Sequence, residues 1–295
     1  MTRVHLVDGT WELFRAHFSK RPGHTSPKGK DLKATVGVVS SMLNLLTDPK
    51  EQPTHLALAF DNPIRSFRND LFPGYKTEQG VPEELLAQFD DVEEACAALG
   101  LRVWSMKDFE ADDGLASGSA HFGKDKKVSQ VRILSPDKDL AQCLVAGRDV
   151  VQVNRLTEKE TTRASFEKER GYSPDSVPDF LALVGDSADG IPGLDGWGEK
   201  GAGTVLAKHP HLEDIPDDPA KWKATVRGAE RLAATLAAGR REALLYRTLA
   251  TVRADAPIST SLADLAWKGV PDSFGTWCDK SGAARLKERA ASLGK

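Results

Sequence analysis

The chain is poor in cysteine: 3 in 295 residues, at Cys96, Cys143 and Cys278, far apart and with no CxxC pair. That excludes a cysteine-built zinc site and a disulfide framework, and it points to a reducing, cytoplasmic setting. Long hydrophobic runs are missing too. The N-terminal apolar stretch is interrupted by Asp8 and Glu12, so neither a signal peptide nor a membrane-spanning helix is expected. His5, His17, His55 and His121 lack metal-ligand spacing, and His209 with His211 reads as a loop. There is no GxSxG elbow, no Walker A lysine loop and no GxGxxG after a strand. No internal repeat or low-complexity tract occurs. Charge of one sign is also lacking, since the formal net charge is only −3. That near balance hides an uneven distribution, with acids concentrated after apolar runs and basic residues elsewhere.

What is present is an alternation of short apolar runs and helical patterns, which predicts an α/β fold with a mostly parallel sheet flanked by helices. The expected strands are Val4–Val7, His55–Ala59, Leu101–Trp104, Val131–Leu134 and Val150–Val153. Amphipathic spacing predicts helices over Leu32–Leu46 and Glu83–Leu99. A glycine-rich stretch, Val184 to Ala202, precedes a helix starting near Ala202. A long helical pattern runs from Ala229 to Val252, and a final surface helix is expected over Ala283–Leu293. These patterns suggest a first region, 1–173, and a helical second region, 174–295.

Ligands in parallel α/β sheets bind at the carboxyl ends of the strands. Here Asp8 follows the first expected strand, Asp61 the second, and Asp137 with Asp139 the fourth. One strand-end aspartate is commonplace; three in one sheet indicate a metal or phosphate-transfer centre. Phe109-Glu-Ala-Asp-Asp-Gly114 adds Glu110, Asp112 and Asp113 at a helix start. Taken alone, such acids could simply complement the helix dipole. Packed beside the strand-end aspartates they need cations, and an all-oxygen set suits a hard ion such as Mg²⁺ or Mn²⁺. Ser135-Pro-Asp-Lys-Asp139 could be a plain β-turn and Asp186 with Asp189 an Asx-turn. Counted together, nine acids are enough for two or more divalent ions, as used in phosphodiester displacement.

Six motifs then carry a resemblance. They are Leu6-Val-Asp-Gly9, Ala59-Phe-Asp61, Phe67-Arg-Asn-Asp-Leu-Phe-Pro-Gly-Tyr-Lys76, Glu110-Ala-Asp-Asp113, Ser135-Pro-Asp-Lys-Asp139 and Gly185-Asp-Ser-Ala-Asp-Gly-Ile-Pro-Gly193. In this order and spacing the chain resembles the 5′-nuclease family, which includes stand-alone flap endonucleases and the 5′-nuclease domain of bacterial DNA polymerase I. The resemblance implies a PIN-like core over 1–173, with an arch segment near 65–90, and a helix–three-turn–helix (H3TH) DNA-binding region over 174–295. With no polymerase or proofreading region after the last helix, a stand-alone enzyme is expected. The implied activity is structure-specific 5′-3′ exonuclease and flap endonuclease hydrolysis of DNA by two metal ions, in replication and repair. A catalytically weak DNA-junction binder and a related metal-dependent ribonuclease are the alternatives.

By the resemblance, Asp8, Asp61, Glu110, Asp112 and Asp113 hold the first metal, and Asp137, Asp139, Asp186 and Asp189 the second. The ions are Mg²⁺ or Mn²⁺, with K⁺ at the H3TH turn. Lys76 and Arg68 are the cationic catalytic residues, facing a scissile phosphate that gains charge. Tyr75 offers a ring for stacking on an unpaired base. Arg65, Gly193, Gly196, Gly198 and Lys200 contact DNA, the glycines by letting backbone amides approach phosphate. Trp197 packs. The implied partner is DNA with a 5′ flap, nick or 5′ end, including RNA primer ends, bound by a monomer. Two positions depart from the family: Gln79, where an arginine is usual, implies a weaker arch, and Gly190 stands where asparagine is usual.

Overall fold

A computed structural model describes residues 2–293; Met1 and the last two residues, at the ends of the expected regions, lie outside the described residues. The strands are β1 (Thr2–Asp8), β2 (His55–Asp61), β3 (Arg102–Met106), β4 (Val128–Leu134), β5 (Val150–Asn154) and β6 (Lys159–Thr161). The helices are α1 (Gly9–Phe18), α2 (Lys33–Leu46), α3 (Arg68–Leu71), α4 (Glu83–Leu86), α5 (Phe89–Ala98), α6 (Ala111–Phe122) and α7 (Arg163–Arg170). They continue as α8 (Val177–Val184), α9 (Glu199–Leu206), α10 (Ala229–Ala250), α11 (Leu262–Leu265), α12 (Asp272–Ser281) and α13 (Ala284–Ala291). Among the described residues, no helix is long and apolar enough to cross a membrane.

Two compact units divide the chain, the first comprising 1–65, 78–135 and 254–295, the second 66–77 and 136–253. In the first, β3-β2-β1-β4 pair in parallel, with Leu6 opposite Ala57 and Ile133. Central strands buried on both faces call for unbroken apolar runs, and Val4, Leu6, Val7 and Leu56 to Phe60 are sealed from solvent accordingly. A Cβ on Gly9 would lie 2.5 Å from the Phe60 ring and 2.8 Å from the Ala59 carbonyl. Only glycine lets α1 start hard against β2, and that holds Asp8 at the strand end as its N-cap. In the second unit, β5 and β6 pair antiparallel and α8 packs against α9 and α10. The strand pairing is thus mostly parallel with an antiparallel element, flanked by helices.

The helix expected over Glu83–Leu99 is broken into α4 and α5. Gln88 sits at the break, wholly buried, and its Oε1 accepts from the Thr35 amide at 3.0 Å and the Thr35 hydroxyl at 3.2 Å. Satisfying that buried donor outweighs helix continuity, since an orphaned amide costs about 1–3 kcal/mol.

Beneath β1, buried Arg132 grips Glu51 with two bonds of 2.7 Å, and His5 meets the same carboxylate at 2.9 Å. Burial pushes the Glu51 carboxyl up, but hydrogen bonds from His5 and Arg132 outweigh it and hold the group at about 2. Burial keeps the His5 pKa low. Because the Glu51 pKa is depressed on folding, its stabilisation is present above the ordinary carboxylate value near 4.5 and is lost as pH falls toward about 2. Glu51→Gln is expected to cost on the order of 3 kcal/mol at pH 7 by stranding the Arg132 charge. Urea melts at pH 7 and pH 3 check this, and the gap between wild type and variant should narrow at the lower pH.

Candidate metal centre

Asp139, Asp186 and Asp189 each bring one carboxylate oxygen within 4.8 Å of the others, the one such trio of ligand groups found among the described residues. All three belong to the second unit. Asp137 caps the short 3-10 helix Lys138–Cys143, its carboxylate accepting from the Asp139 amide at 2.9 Å, and this turn presents Asp139. Asp186 leaves α8 in an Asx-turn, accepting from the Ala188 amide at 2.9 Å, while its backbone pairs both ways with Ile191 at 2.8 Å. The Asx-turn and the convergence of carboxylates are therefore both present.

Two lysines border the trio. Lys138 donates to Asp186 at 2.5 Å and Lys76 reaches Asp189 at 3.0 Å. Burial works against the Lys138 charge, yet the bond to Asp186 and the nearby Asp139 and Asp137 raise its pKa. Asp139 is only 7% exposed, and its Oδ1 is buried without a hydrogen-bond partner. Burial first, then Asp137 and Asp189, push its carboxyl well above the ordinary range, with Lys138 opposing. An unpartnered carboxylate oxygen in a tight all-oxygen trio fits a hard divalent cation, which would supply the missing charge and bonds.

In the first unit the other five acids gather at the carboxyl ends of β1 and β2 and the start of α6. Asp8 accepts from the Trp11 amide at 2.8 Å and the Ser135 hydroxyl at 2.7 Å. Asp61 accepts from the Ala111 amide at 2.7 Å, while its own amide donates to Thr10 Oγ1 at 2.8 Å. Glu110 and Asp113 form a capping box on α6, with the Glu110 amide bonded to Asp113 at 2.9 Å. Asp8, Glu110 and Asp113 are buried and Asp112 is half-buried. These acids do not draw three ligand oxygens as close together as the trio does among the described residues. Thr10, and Gln152, whose amide donates to the Asp137 carbonyl, carry no sequence signal that would have singled them out.

Arg68 and Tyr75 are placed otherwise than expected. Arg68 is 2% exposed; its Nε donates to the Leu249 carbonyl at 2.7 Å and its Nη2 to that of Thr251 at 2.9 Å, with the guanidinium over the Phe67 ring. Its fork fastens α3 to the end of α10. Tyr75 is 3% exposed, with Lys76 Nζ 5.6 Å from its ring centre, so the ring is not open for base stacking. Lys76 is better placed: its side chain is 28% exposed and its amide donates to the Asp189 carbonyl at 3.0 Å. Gly190 explains itself here. Its φ is +72°, and a Cβ would lie 2.1 Å from the Gly74 carbonyl oxygen, so a side chain is strained on two counts.

Within 65–90 the helices are the four-residue α3 and α4 and the start of α5, with turns between. Arg65 is exposed. After α8, the backbone takes positive φ at Gly193 and Gly196 and reaches α9 through Gly198, its N-cap. Gly196, Gly198 and Lys200 are exposed. Trp197 is buried against Trp222, its indole N–H bonded to the Leu232 carbonyl at 3.2 Å, so it packs as expected. Arg240 and Arg247, on α10, are engaged with acids, Asp217 for the first and Asp179 and Glu213 for the second.

Family models match nearly the whole of this architecture. Residues 3–171 match the 5′-3′ exonuclease N-terminal resolvase-like domain, and residues 172–273 the 5′-3′ exonuclease C-terminal SAM fold. The chain belongs to the 5′-3′ exonuclease family. Members of this family are phosphodiester hydrolases, and the chain is 32% identical over 216 residues to a 5′-3′ exonuclease of Aquifex aeolicus, covering 73% of this chain and 72% of that protein. It is 32% identical over 271 residues to DNA polymerase I of Bacillus caldotenax, covering 90% of this chain but only 30% of the polymerase. Among solved structures, T5 5′-exonuclease with bound divalent zinc shares the fold, with a TM-score of 0.64 at 17% identity, covering 99% of this chain and 98% of that one. The catalytic core of Rad2 in complex with DNA substrate does so with a TM-score of 0.63 at 17% identity, covering 99% and 91%.

Proposed function

We propose that this chain is a Mg²⁺- or Mn²⁺-dependent, structure-specific nuclease that hydrolyses DNA at 5′ flaps, nicks and 5′ ends during replication and repair. The observation that carries the proposal is the Asp139–Asp186–Asp189 trio with its unpartnered buried oxygen, in a member of the 5′-3′ exonuclease family. Asp137, Asp139, Asp186 and Asp189 would hold one ion; Asp8, Asp61, Glu110, Asp112 and Asp113 would hold another. Such ions, when bound, activate a water as nucleophile and stabilise the leaving oxygen.

The chain's own groups do the rest. Lys76 offers its ammonium to the scissile phosphate as charge builds there, and its bond to Asp189 fixes where that charge sits. Arg68, sunk against Leu249 and Thr251, acts as a positioning residue for the loop that carries Lys76. Tyr75, beside Lys76 on the same loop, is buried. Gly193, Gly196 and Gly198 open backbone amides to duplex phosphates, with Lys200 beside them, Arg65 as a further phosphate contact and K⁺ at the turn. The enzyme works as a monomer, and RNA primer ends annealed to DNA are also within its reach.

Labelled 5′-flap, nicked and blunt duplexes, incubated with Mg²⁺, Mn²⁺ or chelator, test the proposal. Metal-dependent cleavage of the flap and loss of all cleavage in chelator are expected. Tight flap binding with no cleavage in either metal would identify a junction binder instead, and preference for an all-RNA strand would identify a ribonuclease.

A further inference from the structure

The loop after α1 and the start of α13, both in the first unit, line a groove of about 650 Å³ together with one side of α2. Arg21, His24, Lys33, Arg285 and Arg289 border it, and no Asp or Glu does. Four permanent positive charges thus share one concavity in a chain whose formal net charge is −3.

None of the four has a carboxylate counter-ion among the described residues. Arg21 donates to the Gly37 carbonyl at 3.3 Å and Lys33 to that of His17 at 2.6 Å. Arg289 holds the Ser40 hydroxyl at 2.8 Å and the Asn44 side-chain carbonyl at 2.7 Å. Arg285 is exposed and, among the described residues, bonds to no side chain or carbonyl. The N-cap of α13, Ala283, supplies no side-chain acceptor, so the positive end of that helix dipole adds to the field. Neutral acceptors fix the cations in place without cancelling them, which is an arrangement that attracts an anion.

The floor of the groove decides which anion. Val36, Ala283, Ala284 and Leu286 make it apolar, and no Phe, Tyr or Trp lines it. A sugar-phosphate backbone gains nothing from an apolar concavity, and a nucleobase finds no aromatic face on which to stack. An apolar side chain flanked by carboxylates gains from both features at once, with the anchor desolvated on the floor and its acids facing the rim. We propose that this groove docks an acidic peptide segment of a partner protein, seating an apolar residue over Val36, Ala284 and Leu286, with carboxylates paired to Arg21, Lys33, Arg285 and Arg289.

Fluorescence anisotropy on the full chain tests this without using nuclease activity, so its outcome is separable from the proposed hydrolysis. The probe is a short labelled peptide of Asp and Glu residues ending in Leu-Phe. Controls replace the acids by Asn and Gln, or the Leu-Phe pair by Gly-Gly. Saturable binding of the probe is expected, weakened at least tenfold by either control. Arg285→Glu, at an exposed position with no partner to lose, should weaken it at least tenfold while leaving the melting temperature and the flap-cleavage rate unchanged. Absence of saturable binding, or binding equally strong for the Gly-Gly control, would overturn the proposal. So would a labelled duplex that loses affinity in Arg285→Glu as much as the peptide does, because the groove would then be a nucleic-acid track.

Discussion

Asp139→Asn is expected to lower metal-dependent flap cleavage at least about a thousandfold while changing flap affinity by no more than about threefold. Asparagine keeps the shape of the side chain and removes the charge, so the turn capped by Asp137 should survive. What is lost is the negative charge of the carboxylate whose Oδ1 is buried without a hydrogen-bond partner. Single-turnover cleavage under saturating enzyme measures the chemical step, and a gel-shift in Ca²⁺ measures binding. The metal-free variant should also melt at a higher temperature than metal-free wild type. Because the pKa of Asp139 is raised on folding, its ionised form opposes folding at neutral pH, and asparagine relieves first the burial of the charge and then the repulsion from Asp137 and Asp189. Wild-type cleavage rates in Asp139→Asn would remove the trio from the chemistry.

Lys76→Met should have the next largest effect, a fall of about a hundred- to a thousandfold in the single-turnover rate, with substrate affinity little changed. Methionine keeps the unbranched apolar stem of the side chain but lacks the Nζ that lies 5.6 Å from the Tyr75 ring centre, and carries no charge. Lys76→Arg should recover part of the rate, because a cation is restored with a different reach. A loss of affinity alone, with the rate at saturation intact, would make Lys76 a binding residue and not a catalytic one.

Much of this architecture is legible in the sequence because its strongest signals are local. All five expected strands form, each within a few residues of its apolar run, since buried parallel strands demand unbroken Val, Leu, Ile and Ala. Asp8 and Asp61 stand at strand ends because the apolar runs stop there. The groups whose surroundings the sequence does not show are those held by distant backbone. Arg68 and Tyr75 sit in a basic, aromatic stretch that resembles a DNA-facing loop. Yet the Arg68 fork is spent on carbonyls 181 and 183 residues further along, a relation that no local pattern encodes. That Asp139 meets Asp186 and Asp189 is implied by the resemblance but by no local pattern: the neighbouring Lys138 and Asp186 are 48 residues apart in sequence and meet at 2.5 Å. Gln88 is a third case. Its helical spacing is real, but a buried Thr35 amide claims its side chain and splits the helix.

Everything proposed for hydrolysis depends on the Asp139–Asp186–Asp189 trio holding a divalent ion. Counting bound Mn²⁺ by electron paramagnetic resonance titration, in wild type and Asp139→Asn side by side, tests it most directly. The account predicts two tightly held ions in wild type and one fewer in the variant; equal counts and affinities in the two proteins would contradict it.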